Sequence, residues 1–255
     1  MSKRLIEVVA HGSVSIVTLN RPPVNAIDVP LLEELQRTFE QLAANGNASA
    51  VVFTGSGSCF SAGLDLQQLA NSDPQRMRQL LLALNRTLLA LFSFPRPLVG
   101  ALNGHAIAGG MMLAMCCDYR IAPRNACKLG LTEVRVGVTF PIAGLEVARQ
   151  CLNPPTLQHL AQIGRNINSE EAYRRTIVDE LQDAADVFAR AVAVAEDLAT
   201  VPRAAFAGTK HQLRGDAIAR IQHWVDTNDD PAMPVWTDPA AVQEARAILE
   251  GSRET

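Results

Sequence analysis

Metal-ligand spacing, an excess of basic charge and a membrane-length apolar run are all missing from this chain of 255 residues. Its five cysteines, Cys59, Cys116, Cys117, Cys127 and Cys151, show no CxxC spacing and no alternation with histidine, so no metal-ligand motif is present. Their odd number and scattered positions instead suit reduced thiols serving as small apolar side chains. The charges are balanced: 23 Lys and Arg stand against 26 Asp and Glu, a net charge of -3, which argues against a nucleic-acid partner. No apolar run reaches the roughly 20 residues that span a bilayer. The longest, Ala106–Cys117, stops well short. The start, "MSKRLIEVVAHG", is basic but has no apolar core and no small-residue cleavage site, so no signal peptide is read and a cytoplasmic location is expected. Neither GxxxxGK[ST] nor GxGxxG occurs, so neither phosphate-loop pattern applies.

What is present is a globular composition, 48% hydrophobic and 19% charged. The β-rich stretches 5–9 and 14–19 flank His11-Gly12 and predict a hairpin. Leu31, Leu32, Leu35, Phe39 and Leu42 recur at helical spacing and predict a helix over 30–44. "AVVFTG" (50–55) and "PLVGALNG" (97–104) read as strands buried on both faces, with a helix over 74–92 between them, and "DYRIAP" (118–123) is again strand-like. This alternation predicts an α/β domain with mostly parallel pairing. Beyond residue 141 the pattern is helical, with helices expected at 142–151, 155–163, 169–175, 183–199, 202–213 and 239–250.

Two loops share one design. "CFSAGLDL" (59–66) comes after the strand 50–55, and "HAIAGGMML" (105–113) after the strand near 97–102. Each puts small residues where a strand ends and a helix begins. A helix start carries backbone N–H groups without intrahelical partners and partial positive charge. Glycine lets a ligand approach that backbone. Two such loops side by side can each aim one N–H at a single oxygen, which is an oxyanion hole. Tight packing alone is the competing reading of either loop.

The ordered segments "LNRPPVNAID", "FSAGLDL", "NGHAIAGGMMLAMCCDYRIA" and "LGLTEVRVGV" resemble the crotonase family, the enoyl-CoA hydratases and isomerases, over roughly residues 5–165. The resemblance implies a crotonase-like ββα spiral core over 1–200. It further implies a helical C-terminal trimerisation region over 201–255 and a homotrimer or dimer of trimers. It implies an acyl-CoA substrate, with coenzyme A entering as part of that substrate and no separate cofactor, metal, nucleic-acid or membrane partner. By position, the Leu64 and Gly109 N–H groups would form the oxyanion hole for the thioester oxygen. Asn25, Ala26, Ala62, Asp65, Leu66 and Gln67 would line the CoA and pantetheine path, with Met112 and Phe140 toward the acyl end. A helix-capping charge is the competing role for Asp65.

Hydratases of the family resemble one another in placing two glutamates around one water. Here the first position is Met112, whose thioether exchanges no proton, and the second is Glu133. A single carboxylate beside an oxyanion hole supports Δ3,Δ2-enoyl-CoA isomerisation, with Glu133 as proton shuttle. The alternatives are hydratase or hydrolase chemistry completed by another acid, with Glu146 as the candidate, or an acyl-CoA-binding homologue without chemistry. Apart from the resemblance, Glu133 reads as a surface carboxylate paired with Arg135. His105 is assigned a structural hydrogen bond. Lys210 is read as solvated or as reaching CoA phosphates from a neighbouring subunit. Trp224 and Trp236 are assigned to packing, and His11, His159, His211 and His223 to surface or satisfied roles.

Overall fold

The computed structural model describes residues 4–45, 48–65, 72–124, 127–240, 243 and 247. The chain begins with the predicted hairpin, β1 (Ile6–His11) antiparallel to β2 (Val14–Leu19), followed by α1 (Val29–Asn45). Three further units then repeat one path. Each runs a strand through a large sheet, turns within a few residues into a short second strand, and leaves that strand toward a helix. The first has β3 (Ala50–Gly55) and β4 (Cys59–Ser61), then α2 (Pro74–Phe92). The second has β5 (Leu98–Ala101) and β6 (His105–Ile107), then α3 (Gly109–Met115). The third has β7 (Tyr119–Pro123) and β8 (Lys128–Gly130). It continues through a 3-10 turn (Glu133–Val136) to α4 (Ile142–Cys151).

The remaining elements are α5 (Pro154–Leu157), a π turn (Gln158–Gln162), β9 (Ile167–Asn168), α6 (Ser169–Arg174), β10 (Glu180–Gln182), α7 (Val187–Leu198), α8 (Arg203–Thr227) and α9 (Met233–Thr237). The large sheet has the order β1-β2-β3-β5-β7-β10, and every pairing after the hairpin is parallel. The small sheet has the order β4-β6-β8-β9 and is parallel across its first three strands. This is the ββα spiral with a helical C-terminal region.

The largely apolar character of β3 comes from its position. Val51 and Phe53 join the main core, while Ala50 and Val52 join a second core beneath α7. Both faces of the strand are covered, so its first four residues are all apolar, and buried Thr54 spends its hydroxyl on the Ala101 carbonyl at 2.8 Å. In the main core Phe39, Phe53, Phe60 and Phe94 meet edge to face, with centroids 5.2 to 5.9 Å apart.

The structure departs from the sequence pattern beyond residue 141, where β9 and β10 interrupt the expected run of helices, and in three further places. The small sheet has strands of three residues, too few to show a period. The helix expected at 155–163 is a single α turn running into a π turn. The helix expected to end at 213 continues through Gly215 to Thr227. Only Lys210, Ala217 and Ile221 of that helix are buried, so its apolar stripe is too thin to mark its length. The last expected helix lies mostly outside the described residues. Ala217, Ile221, Met233 and Trp236 belong to the main core, so the C-terminal helices pack on the spiral that precedes them. Among the described residues no helix is long and apolar enough to cross a membrane.

Candidate active site

The parallel register Ser61↔Ala106, Ala106↔Leu129 and Ile107↔Gly130 makes β4, β6 and β8 end on one side of the small sheet. Those ends lead into Ala62–Asp65, Ala108-Gly109 and Leu131–Glu133 respectively. The carboxyl ends of parallel strands are where α/β folds place ligands. The sheet therefore brings together the three segments singled out for chemistry.

The two glycine loops touch. A Cβ on Gly63 would lie 3.3 Å from the Gly109 nitrogen and 2.7 Å from the Ile107 carbonyl, and Gly63 has φ +86, a conformation that favours glycine. Leu64 is bridged to Ile27: the Ile27 N–H donates to the Gly63 carbonyl at 2.8 Å, and the Asp65 N–H donates to the Ile27 carbonyl at 2.8 Å. In that pattern the N–H of Leu64 itself points off the opposite edge. The Gly109 N–H is at the start of α3. Neither N–H donates to a described residue. Gly110 is required for a different reason: a Cβ there would collide with the Ser61 carbonyl, so this glycine lets α3 close onto β4.

Ala108, just before the pair, has φ 50 and ψ -125. A non-glycine residue there stores strain of about 1–3 kcal/mol. Its N–H donates to the Gly130 carbonyl at 2.8 Å, which ties β6 to β8 and fixes the turn that presents Gly109. Sequence reasoning missed Ala108, since alanine carries no signal for a left-handed backbone.

Arg21 holds the neighbouring wall. Its guanidinium meets Asp65 at 2.9 Å and Asp28 at 3.1 Å and donates to the Ala26 carbonyl at 2.7 Å. Asp65 thus has a structural partner that its sequence position did not reveal. The side chain of Asn25 is a clasp within the wall. It is fully buried and its Nδ2 donates to the carbonyls of Ser56, Cys59 and Phe60 at 2.8 to 3.2 Å. Its own carbonyl accepts from Ser61 Oγ at 2.8 Å. Ala26 and Ala62 are half-buried. Leu66 and Gln67 lie outside the described residues.

Glu133 opens the 3-10 turn, is only 3% exposed, and has an Oε2 with no hydrogen-bond partner. Burial pushes its carboxyl from an ordinary 4.5 up to about 8, against a smaller lowering by its own backbone N–H. It forms no ion pair with Arg135 or any other described residue, so the surface-carboxylate reading is overturned. Met112 is fully buried on α3, and a Cβ on Gly144 of α4 would collide with its sulfur. The long thioether therefore occupies space that Gly144 leaves free. Phe140 is half-buried against the main core.

The other candidates fall into structural roles. Both carboxylate oxygens of buried Glu146 are taken, one by Arg149 at 2.8 Å and one by Arg220 at 2.7 Å. Nδ1 of His105 accepts from the Lys128 N–H at 2.9 Å. Lys210 is neither solvated nor outward-facing: it is 7% exposed and pairs with Asp118 at 2.8 Å, beside Arg214 at 2.9 Å. Trp236 is buried and donates to the Thr139 carbonyl at 2.8 Å. Among the described residues no group of three or more His, Cys, Asp or Glu is placed to hold a metal ion.

A spiral of ββα units whose short strands end at two adjoining loops of outward-facing N–H groups is the crotonase fold. Residues 10–230 match the model of the enoyl-CoA hydratase/isomerase family, and the chain belongs to that family. It is a crotonase-type acyl-CoA enzyme. Both activities occur among its relatives. A Bacillus subtilis protein named probable enoyl-CoA hydratase is 31% identical over 188 residues, 73% of this chain and 72% of the relative. The mouse mitochondrial enoyl-CoA delta isomerase 1 is 28% identical over 212 residues, 82% and 73% of the two chains. The human mitochondrial delta3-delta2-enoyl-CoA isomerase superposes with a TM-score of 0.92 at 24% identity, over 98% of this chain and 99% of the other, a likeness of fold.

Proposed function

We propose that the protein is a Δ3,Δ2-enoyl-CoA isomerase in which Glu133 alone carries the proton. The observation that carries this reading is the buried Glu133 carboxyl with an unpartnered oxygen. The second acid of a hydratase is replaced by Met112, and Glu146 is held by two arginines. The Glu133 carboxylate removes a proton from C2 of a 3-enoyl-CoA, where the thioester and the double bond both acidify it. The electron pair moves onto the thioester oxygen, which the N–H groups of Leu64 and Gly109 stabilise. As the carbonyl re-forms, the double bond settles between C2 and C3, and the carboxylic acid returns its proton to C4. Atoms and charge balance without water, metal or redox partner.

A carboxyl near pH 8 suits both halves of this cycle, because a shuttle must be a competent base and then a competent acid. The burial of Met111 and Met112 on α3 supports the exclusion of water from the site. The half-buried backbone at Ala26, Ala62 and Asp65 supports a role along the CoA path, and Phe140 supports one at the acyl end. A trimer or dimer of trimers in the cytoplasm completes the reading. The test is turnover of a 3-enoyl-CoA by Glu133→Gln: loss of about 10²–10⁴-fold is expected for removal of a proton-transfer group. Activity within about twofold of wild type would sink the proposal.

A further inference from the structure

The strip on the C-terminal side of Glu133 is held from outside by the C-terminal segment. Asp230 is 1% exposed, and its Oδ2 accepts from the Ile142 N–H at 2.9 Å and from Asn85 Nδ2 at 2.6 Å. Its Oδ1 accepts from the Ala232 N–H at 2.7 Å. Oδ1 of Asn85 in turn accepts from the Ala143 N–H at 3.1 Å. Two of the orphan donors at the start of α4 are thus satisfied by one carboxylate–amide pair. Further along the same segment, the Trp236 indole N–H donates to the Thr139 carbonyl at 2.8 Å. The segment is itself gripped by α2, where Arg78 and Arg86 donate to the carbonyl and side-chain oxygen of Asn228 at 3.0 and 2.7 Å. The other end of the strip is tied to Glu133, whose carbonyl accepts from the Val138 N–H at 3.2 Å. Trp236 lies past residue 230, where the family match stops.

We propose that Asp230 and Trp236 are positioning residues for Glu133: the C-terminal segment clasps the strip 137–143 and thereby keeps the glutamate side chain buried at the end of β8. The inference rests on the isomerase reading. Asp230 is far too enclosed to act as a surface anchor, and its acceptors are spent on the start of α4 that closes the strip, on Asn85 of α2 and on Ala232 of its own segment. Arg135 is on the same 3-10 turn and His159 on the π turn packed against that turn, and neither pairs with Glu133.

The experiment uses the full chain and a 3-enoyl-CoA. Trp236→Phe keeps a ring in the core and removes only the donor to Thr139. Asp230→Ala removes the acceptor pair, and Asp230→Asn keeps one oxygen. The clasp predicts that Trp236→Phe lowers kcat about tenfold with KM within about twofold. It also predicts that the pH at which kcat/KM is half-maximal falls by about one pH unit or more, because loosening the strip admits water to Glu133. Asp230→Asn should restore part of what Asp230→Ala loses. Unchanged kcat and pH midpoint in Trp236→Phe, or a change confined to KM, would overturn the proposal, and because that variant retains its packing this holds even if Asp230→Ala fails to fold. Glu133→Gln is measured alongside. If it remains active, the isomerase reading fails; if it is inactive while Trp236→Phe is normal, only the clasp fails.

Discussion

Replacing Glu133 by glutamine should stabilise the protein at alkaline pH while abolishing its chemistry. The glutamate is buried, and its carboxyl sits at about 8 instead of 4.5. Below pH 4.5 the folded and unfolded chains both hold the proton, and the group has no pH-dependent effect. Between the two values the unfolded chain releases the proton and the folded one keeps it. The stability present below the unfolded value is therefore lost progressively as pH rises to about 8. At about 1.4 kcal/mol per pH unit, the interval from 4.5 to about 8 amounts to about 5 kcal/mol. Glutamine cannot ionise, so the variant escapes this loss; the cost of its buried amide is the same at every pH. Chemical denaturation of both proteins, at about pH 5 and about pH 9 and fixed protein concentration, reads the effect. The stability difference, variant minus wild type, should grow by several kcal/mol, with about 4 kcal/mol as the ceiling between those two pH values. A difference constant within about 1 kcal/mol across that range would show that the carboxyl is not held neutral by burial, and the reasoning behind the shuttle would fail.

Further outcomes are expected from the same geometry. The kcat/KM of the wild type should rise about tenfold per pH unit up to a midpoint near 8, read from initial rates on a 3-enoyl-CoA. Gly63→Ala should lower kcat about 100-fold or more, because its Cβ meets the Ile107 carbonyl at 2.7 Å and displaces the adjacent Leu64 N–H. Gly144→Ala should cost about 1–3 kcal/mol by pressing on the Met112 sulfur, and Met112→Ala in the same chain should remove that cost, so that a double-mutant cycle shows strong coupling. Lys210→Met should destabilise the fold by about 2 kcal/mol, since Arg214 still covers Asp118, and should leave KM for the acyl-CoA unchanged.

The long elements were legible in the sequence because their periods are long enough to read. The hairpin, α1, α2, β3 and α4 all lie where pattern placed them. The small sheet was not legible, because strands of three residues have no period, although that sheet is what aligns Leu64, Gly109 and Glu133. For the site, the paired glycine loops and the contrast between Met112 and Glu133 could be read as residue types at given spacing. Their surroundings could not. That Asn25 is a clasp, that Lys210 is buried against Asp118, and that Arg21 ties Asp65 to Asp28 all depend on partners distant in the chain. The same holds for Asp230, which joins Asn85 to Ile142. Ala108 escaped because its importance is a backbone angle, which no side-chain type announces.

One enclosed carboxyl carrying a proton between two carbons of the same substrate is the heart of the proposed mechanism. Its fate can be followed with a 3-enoyl-CoA deuterated at C2 and turned over in ordinary water, with the product analysed by mass spectrometry and NMR. A buried Glu133 predicts that a measurable share of the deuterium reappears at C4. Product with no deuterium at C4 at any extent of reaction, every new proton having come from solvent, would contradict it.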